Sequence, residues 1–247
     1  QFLRKNCRSL MKYIFTTLAV GDFYLKNASE CYTKYSEKCS ADFNITTNEI
    51  YEVGSKVNLD LFKLDKYDDG NPGFSFFLNL KVLSLKYCLD KGYDYIIYND
   101  ADWRMTDNFS EDKLFRLFDH MERNNLDFLF ERPSKIGDHK KDMHNCFFDR
   151  KMVDYHVFEH TKWDEAHVVN EQFMVFKNTW KFRYFVRRWE EFLWYSIHNN
   201  IRNYPDGFDI GVSALEAEMK WDWNSFRGFL PSCFEFHDKA GNLHIRF

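Results

Sequence analysis

The sequence predicts an α/β fold with a mixed, mostly parallel central sheet flanked by helices. Three observations predict it. Short apolar runs alternate with longer stretches of helical spacing, the order that gives parallel strands with helices on both faces. One run, Tyr95-Ile96-Ile97-Tyr98, is apolar throughout, as a strand covered on both faces must be. That run leads straight into Asn99-Asp100-Ala101-Asp102, so two carboxylates stand at its carboxyl end. Open α/β sheets bind their ligands there.

The elements follow in chain order. Residues 1–10 are basic and without a clear period, and read as a leader or an expression remnant. Lys12 to Leu18 is the first strand, ended by Ala19-Val20-Gly21-Asp22. Phe23 to Lys38 has helical spacing in Leu25, Ala28, Tyr32 and Tyr35. Asp42 to Thr46 and Val57 to Leu64 are two further strands. Asp68-Asp69-Gly70-Asn71-Pro72-Gly73 is the densest turn signal in the chain. Phe74 to Leu89 reads as a helix and Tyr95 to Tyr98 as the central strand. Thr106-Asp107-Asn108 is a helix-start signal before a helix over Glu111 to Asn124. Asp127 to Glu131 is a strand, and the charged Ser134 to Asp142 a loop. Val168 to Phe176 is a strand, and Trp180 to His198 a long aromatic helix. Tyr204-Pro205-Asp206-Gly207 is a turn before a helix over Asp209 to Met219. Phe234-Glu235-Phe236 is a late strand. There is no repeat, low-complexity tract or linker, so one domain over 1–247 is the simplest organisation.

Composition narrows the function. The chain has 247 residues, 45% of them hydrophobic and 19% aromatic, enough for a sizeable core. A net charge of −4 argues against a protein that lives on nucleic-acid backbone. No apolar run approaches the roughly 20 residues of a membrane span. Tyr13 to Val20 is too short for a signal peptide, which makes a cytoplasmic location, or a domain of a larger protein, the expectation. The six cysteines show no CxxC spacing, so reduced thiols are expected and a zinc site is not; Cys31 and Cys39 would pair only in an oxidising compartment. Three Asn-x-Ser/Thr sequons, at Asn27, Asn44 and Asn108, are too short a pattern to place the chain in a secretory pathway.

Asp100 and Asp102 carry the chemistry. Two carboxylates this close are costly unless something positive joins them, and a hard divalent cation on a phosphate would do so. The alternative is a solvated strand end.

On these residues the chain resembles the GT-A (Rossmann-like) glycosyltransferases that use nucleotide sugars. The features that carry the resemblance are a strand ending in Asp-x-Asp, the first strand Tyr-Ile-Phe-Thr-Thr (13–17) and a histidine near the end of the chain. Three further stretches resemble the family-eight group: Val-Asn-Glu-Gln-Phe-Met-Val-Phe (169–176), Pro-Asp-Gly-Phe-Asp-Ile (205–210) and Leu-Pro-Ser-Cys-Phe-Glu-Phe (230–236). The chain also looks like the small glycosyltransferase domains encoded by large algal viruses. It departs from the pattern at Glu171-Gln172, where the family has Ala-Gly, and in lacking the usual His-x-x-Gly-x-x-Lys-Pro ending.

The resemblance implies a role for each matching position. Asp102 would be the main ligand of Mn²⁺ (or Mg²⁺), with Asp100 beside the ribose or the metal. His237 or His244 would complete the metal site through a neutral imidazole nitrogen. If the stretches around them form a hairpin with Lys239 to Asn242 at its loop, the two histidines face each other, and the choice between them stays open. Thr16, Thr17, Leu18 and Gly21 would cradle the base and ribose, although an ordinary strand-to-helix turn reads the same way. Lys81 would reach the nucleotide or diphosphate, although a helical lysine is usually just solvated.

Sugar transfer also needs a carboxylate, either as base toward the acceptor hydroxyl or as a group stabilising an oxocarbenium-like transition state. Asp209 is the first candidate, Glu171 the second and Asp206 the third, with helix capping the plain alternative for the aspartates. Asp154, Glu159, His160 and Asp164 lie in one loop and would meet acceptor sugar or solvent. Trp163, Trp221 and Trp223 would stack on a sugar or fill the core.

The expected function is metal-dependent transfer of a hexose or pentose from a UDP- or GDP-sugar, UDP favoured, to a hydroxyl of a glycan or glycoprotein. Two rivals remain. A sugar-nucleotide nucleotidyltransferase would need a Gly-rich, basic first loop, which Leu18-Ala19-Val20-Gly21-Asp22 is not. A non-catalytic metal- or glycan-binding module would bind without turnover.

Overall fold

The structure is a computed structural model, and it describes residues 11–47, 79–135, 167–199, 206–222, 233–237 and 243–244. The expected strand over Val57–Leu64, the turn over 68–73, and Asp154, Glu159, His160, Trp163, Asp164 and Trp223 lie outside the described residues.

Six strands form the main sheet among the described residues. These are β1 (Tyr13–Leu18), β2 (Asp42–Thr46), β3 (Tyr95–Asn99), β5 (Phe128–Lys135), β6 (His167–Lys177) and β7 (Trp221–Asp222), in the order β2-β1-β3-β6-β5-β7. Pairing is parallel for β1 with β2 and β3, and for β5 with β7. It is antiparallel on both sides of β6. The sheet is thus mixed, with β6 alone reversed, as the alternating sequence pattern implies.

Side-chain alternation sorts the core into two layers. Ile14, Ile96, Tyr98 and Phe176 face α2 (Lys81–Cys88), α4 (Trp180–His198) and α5 (Asp206–Glu216). Tyr13, Phe15, Tyr95, Ile97 and Phe173 face α1 (Asp22–Ser36) and α3 (Glu111–Asn124). The long helix α4 buries Phe182, Phe185, Val186, Trp189, Phe192 and Leu193, a stripe at helical spacing. Its cap is Thr179, which accepts a hydrogen bond from the Phe182 amide. Trp189 is fully buried and satisfies its ring N–H by donating to Asn79 at 2.7 Å.

Several elements differ from the sequence expectation. The helix α3 spans Glu111–Asn124, the expected range, and before it the Thr106 amide donates to the Cys233 carbonyl beside a second sheet. That sheet joins β4 (Trp103–Met105), β8 (Phe234–His237) and β9 (Leu243–His244). β8 and β9 are the hairpin expected around His237 and His244, whereas β4, like β7, is too short for periodicity to register. β5 continues through Ser134 and Lys135, which pair with Val168 and His167, so the first two residues of the expected loop are strand. Register shifts around Glu131 and the Arg132-Pro133 step hide that extension. α5 begins at Asp206, three residues before the expected start. Cys31, Cys39, Cys88 and Cys233 are free thiols, as expected. No helix among the described residues is long and apolar enough to cross a membrane.

Two carboxylates tie α3 to the sheet. Glu111 accepts from the Tyr13 hydroxyl and from the Ser40 amide and hydroxyl. Glu122 accepts from the Tyr95 hydroxyl at 2.6 Å and from Lys177 Nζ at 2.7 Å. Burial alone would raise the Glu122 carboxyl, but the hydrogen bonds from Lys177 and Tyr95 outweigh it and hold it below the usual range. A depressed carboxylate stabilises the fold above the unfolded-state value, about 4.3, and the contribution is lost as pH falls through the folded value. Glu122→Gln is therefore expected to cost about 1 kcal/mol at neutral pH, half-exposure limiting the effect. Urea unfolding of both proteins should show the gap closing below about pH 4. A gap that stays constant down to pH 3 would contradict the assignment.

Candidate active site

The carboxyl end of β3 is built to hold a tight acidic turn. Asn99, its last residue, accepts from the Tyr32 hydroxyl at 3.1 Å and donates to the Asp100 carbonyl at 3.0 Å. The Asp100 amide donates to the Gln172 carbonyl of β6 at 2.8 Å, and the Trp103 amide donates to the Asp100 carbonyl at 3.0 Å. The turn is pinned by its backbone, which leaves the carboxylates for other partners. Ala101 is buried between them, and Trp103 is buried against Phe173. Trp103 therefore supports the turn from behind.

The two carboxylates have different surroundings. Asp100 is already matched by a cation. Lys81 Nζ lies 3.1 Å from its Oδ1 and 3.4 Å from its Oδ2, and 3.4 Å from Oε1 of Glu171. The Tyr98 hydroxyl also donates to Asp100 Oδ1 at 2.8 Å. The Lys81 side chain is only 6% exposed, so water does little to screen this cluster. Burial pushes the Asp100 carboxyl above its usual range, with the Lys81 ammonium working against that and Glu171 adding to it. The sequence left Lys81 between solvent and ligand; the structure brings it together with Asp100 and Glu171 inside the edge of the sheet. Tyr98 was legible only as an apolar strand residue, and its hydroxyl gives no signal in the sequence.

Asp102 is half-buried one residue before β4. β4 pairs antiparallel with β8, Trp103 opposite Phe236 and Arg104 opposite Glu235. β8 in turn pairs His237 with Leu243 and Phe236 with His244. The two histidines are therefore one residue out of register and are not cross-strand partners, which corrects the expectation that they face each other.

Among the described residues no three His, Cys, Asp or Glu side chains cluster as a metal site. The donor set still fits a hard cation. Mg²⁺-type ions that ride on phosphates need only one or two carboxylates from the protein, and Mn²⁺ shares their preference for carboxylate, carbonyl and water ligands. Asp102 supplies such a carboxylate.

The other named positions are distributed around this edge. Thr16 and Thr17 are fully buried. Thr16 donates to the Ser84 carbonyl at 3.2 Å and accepts from Asn44 at 3.0 Å, so its hydroxyl ties β1 to α2 and β2. Leu18 is half-buried at the strand end. Gly21 precedes α1 with φ +83°, a backbone that L side chains rarely adopt. Asp209 is fully buried in the first turn of α5, whereas Glu171 keeps 20% of its side chain exposed beside Asp100. Asp206 opens α5. Trp221 packs against the rings of Phe130 and His167 in β7. Arg104 donates to Asn27 at 2.6 Å, joining β4 to α1, and Asn27 is consequently a buried sequon.

No protein-family model matches the chain, and no curated protein matches it. Among solved structures it is similar to mouse xyloside xylosyltransferase 1 in its apo form, at 9% identity over 86% of this chain and 85% of that one, with a TM-score of 0.42. It is also similar to a glycosyltransferase involved in the glycosylation of the major capsid of PBCV-1, at 7% identity over 93% of this chain and 96% of that one, with a TM-score of 0.49.

Proposed function

We propose that the chain is one GT-A glycosyltransferase domain that transfers a sugar, with a divalent cation bound, from a nucleotide diphosphate sugar to a hydroxyl of a glycan. The observation that carries this reading is the placement of Asp102. It stands beyond the carboxyl end of β3, one residue before β4, while Asp100 already has Lys81 as its counter-ion. The resemblance of the sequence to nucleotide-sugar transferases supports the same reading.

Asp102 and His237 would hold Mn²⁺ or Mg²⁺, which when bound neutralises charge on the departing diphosphate. His237 is preferred over His244 because its strand, β8, pairs directly with β4, the strand that follows Asp102, whereas β9 pairs only with β8. The backbone at Leu18 and Gly21 lies at the same edge of the sheet, where a base and ribose would rest, with UDP favoured. Glu171 is the preferred carboxylate for the transfer step: it reaches solvent beside Asp100, whereas Asp209 is enclosed. Lys81, 3.4 Å from Glu171, holds that carboxylate in place, which suits a group that must stabilise positive charge building on the sugar. Positioning and charge placement supply most of the rate in this scheme.

The test is turnover of a panel of UDP- and GDP-sugars with Mn²⁺, reading release of the nucleoside diphosphate with and without EDTA. One sugar nucleotide should be consumed, and EDTA should stop it. Binding of glycan or metal with no turnover of any nucleotide sugar would favour a binding module instead.

A further inference from the structure

We propose that Lys81 is an internal counter-cation that competes with the divalent ion for Asp100, so that the protein alone binds metal weakly. The inference rests on the reading of Asp102 as the metal-binding carboxylate. Both oxygens of Asp100 lie within 3.4 Å of Lys81 Nζ, and one of them also accepts from Tyr98. A carboxylate engaged in this way has little coordinating capacity left for a second cation. Lys81 also bridges to Glu171 at 3.4 Å, so a single ammonium offsets two acids that would otherwise repel. The Lys81 side chain is 6% exposed and those of Asp100 and Glu171 are 21% and 20% exposed. In such surroundings a fixed positive charge a few ångströms from a divalent ion is poorly screened and repels it strongly.

Two consequences follow from the placement. First, Asp102 carries the ion in the protein alone, with Asp100 held back by Lys81. Second, a diphosphate brings negative charge to the same edge and offsets the repulsion. Nucleotide and metal then each raise the other's affinity by the same factor, as linkage requires.

The experiment is a titration of the protein with Mn²⁺ alone, reading free Mn²⁺ by electron paramagnetic resonance, so that no turnover is needed. Lys81→Met should tighten Mn²⁺ binding on the order of tenfold or more, because the competing charge is gone. Lys81→Gln retains hydrogen bonding without the charge; it should show the same gain and serves where Met does not fold. Lys81→Arg should keep the weak affinity of the natural protein. Unchanged or weaker binding in both neutral variants would overturn the proposal, and so would an equal gain in Lys81→Arg. The underlying metal reading is tested separately by adding Asp102→Asn to Lys81→Met. Loss of the tight binding supports both readings, and retention would mean that the ion sits elsewhere and both fail.

Discussion

Asp102→Asn is expected to lower sugar transfer by about a thousandfold or more at saturating Mn²⁺ while leaving the fold intact. The substitution keeps the shape of the side chain and removes its charge. A metal acting on a departing phosphate is worth several kcal/mol, and each 1.36 kcal/mol is tenfold in rate. The turn around Asp102 is held by backbone bonds, from the Asp100 amide to Gln172 and from the Trp103 amide to Asp100, and those survive the change. The thermal midpoint should therefore stay close to that of the natural protein. Asp100→Asn should behave differently. It removes the partner of a buried lysine, so it should destabilise the chain, and part of its loss of activity should come from that. Measuring kcat, KM and thermal midpoint for both variants separates the two roles. Equal loss of activity with equal loss of stability would contradict the division between them.

Gly211→Ala is expected to be among the most destabilising single substitutions in the chain, costing about 4 kcal/mol or more. An alanine at an exposed helical glycine normally gains about 1 kcal/mol. Here the added Cβ would lie 1.6 Å from the His167 carbonyl oxygen and 2.7 Å from its carbon, both backbone atoms of β6. Gly207, one turn earlier on the same face, meets the Val169 carbonyl oxygen at 2.1 Å. The glycine pair lets α5 lie directly on the strand. A methyl group at either position must lift the helix, and Phe208, Ile210 and Val212, all fully buried, would lose their packing. β6 also carries Glu171 and the Gln172 carbonyl that anchors Asp100, so the displacement should reach the acidic edge. Thermal unfolding and soluble yield read the first effect, and Mn²⁺ affinity the second. A rise in stability would show that the helix does not approach the strand so closely.

Much of this architecture is written in residue pattern. α3 and α4 match their sequence-predicted spans because their apolar stripes are long and one-sided, with Leu114, Phe118 and Met121 in one and Phe182, Phe185 and Trp189 in the other. β3 is legible because it is buried on both faces and ends in acids. What stayed hidden depends on contacts distant in sequence. β4 has three residues and exists only through its pairing with β8, so no window over it carries a period. The Lys81 cluster joins residues 19 and 90 positions apart, which spacing cannot reveal. The choice between His237 and His244 turns on the strand order β4-β8-β9, which neither histidine's own neighbourhood encodes. The close approach of Gly207 and Gly211 to β6 depends on how α5 and that strand pack, which spacing within either does not encode.

The central claim is that a cation and a nucleotide meet at Asp102. A crystal soaked with Mn²⁺ and a panel of nucleotide sugars, with anomalous scattering to mark the ion, tests it most directly. The expected result is one Mn²⁺ coordinated by Asp102 and an imidazole nitrogen of His237, with the diphosphate of the bound nucleotide completing its shell. Mn²⁺ ordered at His244 or away from Asp102, or a nucleotide bound elsewhere than the carboxyl end of β3, would contradict the account.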